Sequence, residues 1–67
     1  MRLVFQTKDS FKVFPRTESL LVPEIGNEIL IQDVVYKVVG KRIEYAETTL
    51  RARLQVKEII ITLEELK

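Results

Sequence analysis

Strict alternation of apolar and polar residues runs through the second half of the chain. Leu50, Ala52, Leu54 and Val56 fall on one side of an extended backbone, and Arg51, Arg53, Gln55 and Lys57 on the other. That is the pattern of a half-buried antiparallel strand. The segment before it reads as a long strand with a fault. Val34, Tyr36 and Val38 share a face, Ile43 and Tyr45 share the next, and the parity changes from even to odd across Gly40. A one-residue β-bulge at Gly40 keeps both sets on the core side, and glycine suits it because glycine accepts positive φ. Ala46-Glu47-Thr48-Thr49 reads as the loop joining the two strands.

The remaining segments are shorter. Arg2 to Thr7 reads as a strand and Lys8-Asp9-Ser10 as a turn, where Asp and Ser can bond their own backbone. Phe11-Lys12-Val13-Phe14 reads as a second short strand ended by Pro15, which cannot donate to a ladder. Residues 16–22 read as a loop running into a short strand. Pro23-Glu24-Ile25-Gly26-Asn27 is the clearest turn, with Gly26 and Asn27 tolerant of positive φ. Glu28 to Gln32 follows as a strand, and Asp33 offers a tight turn into Val34. At the tail, Ile59-Ile60-Ile61 is a continuous apolar run. Thr62-Leu63-Glu64-Glu65 then matches a capping box, which predicts a single helical turn over 62–66. The expected fold is mainly β. It is a small SH3-like (or OB-like) antiparallel barrel, closed or nearly so, with a short C-terminal helical turn.

Composition bears on how such a fold is held. The 67 residues allow one domain, 1–67, with a marginal core. There is no cysteine and no histidine, which removes disulfides, thiolate ligands and the commonest zinc ligand. An efficient core or association with a partner remains. No apolar run approaches the length of a membrane span, and the stretch from Met1 to Lys8 is too short for the apolar region of a signal peptide. A cytoplasmic protein is expected.

The turn Pro23-Glu24-Ile25-Gly26, followed by Ile29 and Ile31 and then Tyr36 and Val38, resembles the pattern of small SH3-like barrels encoded by phages and mobile elements. The resemblance implies the fold and carries no site. That family includes virion joining proteins, so a joining or host-inhibiting role belongs among the expectations.

Candidate chemistry is narrow. Without His or Cys there is no catalytic triad, thiol nucleophile or zinc hydrolase site. Two glycines, Gly26 and Gly40, cannot write a Walker loop or a dinucleotide fingerprint. The ten acids mostly stand beside bases or in turns. The protein is expected to be no enzyme and to take no cofactor and no metal. Tyr36, Tyr45, Phe5, Phe11 and Phe14 read as core or core-edge residues first, and as contact residues second.

Charge is uneven although the total is only +1. Residues 37–57 hold six bases and two acids, and residues 58–67 hold three acids and one base. If Tyr45 pairs with Leu50, the hairpin sets Glu44 against Arg51, Arg42 against Arg53 and Lys37 against Lys57. Opposed like charges destabilise a sheet. The candidate basic face is therefore Lys37, Arg42, Arg51, Arg53 and Lys57, either a solvated surface or a site awaiting an anionic partner. The candidate interface is the apolar tail, Ile59, Ile60 and Ile61. The expected function is a non-enzymatic protein–protein interaction or assembly module, binding another protein or itself. The alternative is a small nucleic-acid-binding barrel using the outer face of the 34–58 hairpin. The near-neutral total charge ranks protein ahead of nucleic acid, and no membrane partner is expected.

Overall fold

Two long strands dominate the molecule. In the computed structural model, which describes residues 2–9, 12–18, 21–48 and 53–66, Val34–Thr48 and Arg53–Glu65 form an antiparallel hairpin. Numbered along the chain, the strands are β1 (Arg2–Thr7), β2 (Thr17–Glu18), β3 (Glu28–Ile31), β4 (Val34–Thr48) and β5 (Arg53–Glu65). They form one sheet in the order β2-β1-β5-β4-β3, curled into a half-barrel. The β1–β5 pair is parallel and the other three are antiparallel. The sheet is thus mixed, not the antiparallel barrel expected.

Cross-strand partners share a face, so the register sorts the side chains. On the inner face Leu3, Tyr36, Val38, Ile59, Ile61 and Leu63 form the buried core. Val38, Ile61 and Leu63 are fully shielded from water. Phe5, Phe14, Val22, Ile29, Ile31 and Val34 pack around them, and the Phe14 ring meets Tyr36 edge-on at 5.9 Å. On the outer face Val4 lies beside Ile60, and both are buried.

Several local readings hold. β1 spans Arg2–Thr7 as read. The Glu24–Asn27 turn has its Asn27 N–H donating to the Glu24 carbonyl (3.0 Å), and Gly26 at φ +98° supplies the left-handed position of a type II turn. The Asn27 side chain accepts from the Glu24 N–H at 2.8 Å. Gln32 and Asp33, at φ 49° and 68°, make the two-residue turn from β3 to β4. Both signs are those of a type I′ hairpin, whose twist matches the strands it joins. A bulge does interrupt β4 beside Gly40: Val38 pairs with Leu63 and Gly40 with Thr62, so Val39 is the extra residue.

Other readings need correction. Residues 62–65 are strand, not a helical turn. Thr62 and Leu63 have β4 on one side and β1 on the other, with Gln6 and Thr7 as parallel partners. Two ladders satisfy a backbone that one helical turn would leave largely unpaired. The hairpin register is also different. Val38 meets Leu63, Ile43 meets Ile59 and Tyr45 meets Val56, so Ala46, Glu47 and Thr48 continue β4 instead of forming a loop. Phe11 and the Leu50 end of the alternating run lie outside the described residues.

The edge segment is broken where proline falls. Val13 bridges Gln6, the Phe14 N–H donates to the Phe5 carbonyl, and two residues past Pro15 the chain pairs again with β1 as β2. Proline lacks the N–H that would make this one continuous edge strand. Of residues 16–22, only Thr17–Glu18 are strand among those described. The half-barrel stays open between this edge and β3, where Phe5, Phe14, Pro15, Thr17, Ile31 and Gln32 line a cleft of about 290 Å³. Among the described residues no helix is long and apolar enough to cross a membrane.

Candidate docking surface

The hairpin outruns the sheet that supports it. β1 begins at Arg2, beside the Ile59 end of β5, so β4 and β5 beyond Ile43 and Ile59 have only each other as described strand neighbours. Five further residues of β4 give an arm roughly 17 Å long at 3.4 Å per residue. The molecule measures 47 × 23 × 20 Å and its radius of gyration is 13.4 Å. A compact domain of this length would have about 11 Å. The excess is the arm.

A second bulge sets the arm's faces. Glu44 pairs with Glu58 and Tyr45 with Val56, so Lys57 is skipped. That extra residue changes the inward parity of β5 from Ile59, Ile61 and Leu63 to Leu54 and Val56. The bulge in β4 does the same for Ile43 and Tyr45. The inner face therefore runs from the core, past Lys41, into Ile43, Tyr45, Val56 and Leu54, with Glu47 beside Leu54. In the body this face is covered, and on the arm it is bare: Tyr45 is 56% exposed and Leu54 69%. Lys41, opposite Ile61, marks the boundary, with its Nζ 3.1 Å from Glu24 Oε1. That ion pair ties the 24–27 turn to the arm's root.

Tyr45 and Val56 are direct cross-strand neighbours, with Leu54 diagonal to Tyr45. Single exposed apolar residues are ordinary on a protein surface, whereas a contiguous apolar patch marks a contact site. A tyrosine at its centre supplies a large, stiff contact area with a hydroxyl.

The structure disperses the expected basic face. Lys37 lies opposite Glu64, Arg42 opposite Ile60, and Arg53 opposite Thr48, so none of these bases opposes another. Arg51 lies outside the described residues. Lys37, at the Glu64 level of the ladder, and Arg53 are ten ladder steps apart, roughly 34 Å. The one pair of like charges directly opposed among the described residues is acidic, Glu44 with Glu58. Each has an arginine at hand: Arg42 Nη2 is 3.9 Å from Glu44, and Arg16 Nη2 is 3.6 Å from the buried Glu58. A polar cleft of about 420 Å³ beside Glu58 also holds Arg2, Thr17, Glu18 and Lys57. Its arginines are engaged, since Arg2 lies 3.9 Å from Glu18 and Arg16 lies against Glu58.

The apolar tail is likewise placed elsewhere than expected. Ile59, Ile60 and Ile61 are buried in the chain's own sheet, between β1 and β4. A central strand covered on both faces shows a continuous apolar run, so these side chains are not available to a partner. The surface that the sequence reading missed is the arm. Its signal was present: the inward residues of the last strand change from even numbers (Leu54, Val56) to odd (Ile59, Ile61, Leu63), the same mark that betrayed the first bulge.

Fold and surface define a small open β half-barrel with a projecting, one-sidedly apolar hairpin. No protein-family model, curated protein or solved structure matches the chain.

Proposed function

We propose that this protein is a non-enzymatic interaction or assembly module that docks onto another protein chain through the inner face of the β4–β5 arm. The observation that carries the reading is the continuation of the core face, uncovered, along two strands. An isolated hairpin is at best marginally stable in water, and a third layer or strand is what makes one secure. The segment 42–57 holds four bases and two acids, so the complementary partner surface has an apolar centre and an acidic rim. We read the half-barrel as an open form of the SH3-like barrels, supported by the 23–27 turn and the β3–β4 hairpin. Virion joining and inhibition of a host protein, the roles brought by that resemblance, are both acts of docking.

The test is site-specific photocrosslinking in cells of the source organism. A photoreactive residue at Leu54 should give a discrete protein adduct. The same residue at Val13, also well exposed but off the arm, should not. Equal labelling from both sites, or none from Leu54, would remove the arm as the working surface.

A further inference from the structure

A second exposed apolar row lies at the other end of the molecule, on the opposite face. Leu30 of β3 pairs with Val35 of β4, and the Leu66 N–H donates to the Val35 carbonyl at 3.0 Å. Their neighbours Ile29, Tyr36 and Val34 point to the core, so Leu30, Val35 and Leu66 stand side by side on the outer face. All three are exposed, Leu30 by 66%. Around this row the acids Glu28, Asp33 and Glu64 outnumber the bases Lys8 and Lys37. The arm has the reverse balance, four bases against two acids over residues 42–57.

We infer that the arm of one copy docks on the outer row of a second copy, so that the protein assembles head to tail. This inference rests on the docking reading above and names the partner as the chain itself. Three features converge on it. The two patches are both apolar, both unpartnered among the described residues, and set in surroundings of opposite charge. Their faces are also of opposite sense, because the arm offers the inner face of a curled sheet and the row offers the outer face. Two twisted sheets can stack face to face in this way, about 10 Å apart. An arm-to-arm dimer would instead bring together two segments of the same net positive charge. Because the two surfaces differ, the contact is heterologous, and each copy keeps one free patch after the first contact. Such contacts propagate into a ring or an open chain and do not stop at a dimer.

The experiment is light scattering on the intact chain and on Leu54→Glu and Leu30→Glu, from low to high micromolar concentration. Both positions are exposed, so both variants should fold, which a melting curve checks. Tyr45→Glu and Val35→Glu serve as the second pair should either fail. The wild-type mass should rise with concentration above the 7.8 kDa of one chain. Each variant alone should remain at the chain mass. An equimolar mixture of the two should form one species of twice that mass, since one variant keeps the outer row and the other keeps the arm. A wild-type protein that stays at the chain mass throughout overturns the inference. So does a Leu30→Glu variant that still dimerises alone, which would indicate arm-to-arm pairing, and so does a mixture that does not combine. If the Leu54 crosslink captures a different protein while the wild type remains at the chain mass, the docking reading stands and this inference falls. If neither crosslink nor self-association is found, both fall.

Discussion

Gly26 and Gly40 are constrained for different physical reasons. Gly26 sits at φ +98° with nothing within 4 Å of where a Cβ would be, so only its backbone conformation demands glycine. Gly40 is not in the left-handed region, which corrects the reason expected for it at the bulge. A Cβ there would lie 3.2 Å from the Thr62 Cβ and 3.4 Å from its Oγ1. Gly26→Ala should therefore cost about 1–2 kcal/mol as backbone strain. Gly40→Val should cost about 1–3 kcal/mol as overpacking across the ladder, with Gly40→Ala milder. Urea unfolding measures both. Wild-type stability in Gly40→Val would mean that Thr62 yields freely. The place of Gly40 in a bulge was legible from parity alone. Its neighbour was not, because Thr62 meets it only through a register fixed by side chains far along the chain.

The β4–β5 hairpin shows what decides an element. Glu47 and Thr48 looked like loop because they are polar, yet Glu47 pairs with Leu54 on an arm whose inner face is also open to water, where a strand admits a polar residue. Thr62 to Glu65 fits a capping box and a strand equally well over four residues. Pairing on both sides then chose the strand, a tertiary preference that no local pattern expresses. The turn at Gln32-Asp33 and the one at Glu24–Asn27 were readable because their chemistry is local. Body and arm of this hairpin should respond differently to truncation. Leu63→Ala, within the core, should destabilise by about 2–5 kcal/mol. Leu54→Ala, on the arm, should stay within about 0.5 kcal/mol in dilute solution, where the chain stands alone. A comparable loss in both, measured by denaturant unfolding, would mean that the arm's inner face is already covered in the monomer.

For the whole molecule, charge is distributed more than it is concentrated. The net charge is +1, and in each long strand the bases come before the acids. Antiparallel pairing therefore sets the base-rich part of one beside the acidic part of the other, and no continuous track for a phosphate backbone forms among the described residues. We expect no measurable binding to duplex or single-stranded nucleic acid at physiological salt. If the five bases of the expected basic face did act together, affinity would fall with a log–log salt slope of about −4 to −5. Micromolar binding with that slope, flattened by about two units in the Arg42→Gln, Arg53→Gln double variant, would restore the nucleic-acid alternative. The sequence's charge asymmetry was real but pointed to a different geometry. It separates the two ends of the molecule and does not build one basic face.

The parallel pairing of β1 with β5 joins the first strand of the chain to the last. Ile59, Ile61 and Leu63 supply half of the buried core cluster, and all three lie in β5. During synthesis, then, this fold has no hydrophobic centre to condense upon until residues 59–63 have been added. Its β3–β4 turn can form early, but β1 must wait for its neighbour. Folding dominated by such distant contacts is slow, in the millisecond-to-second range. Until β5 is made, the nascent fold is thus an open chain, exposed to chaperones and proteases, and it becomes resistant in a single step once β5 is in place.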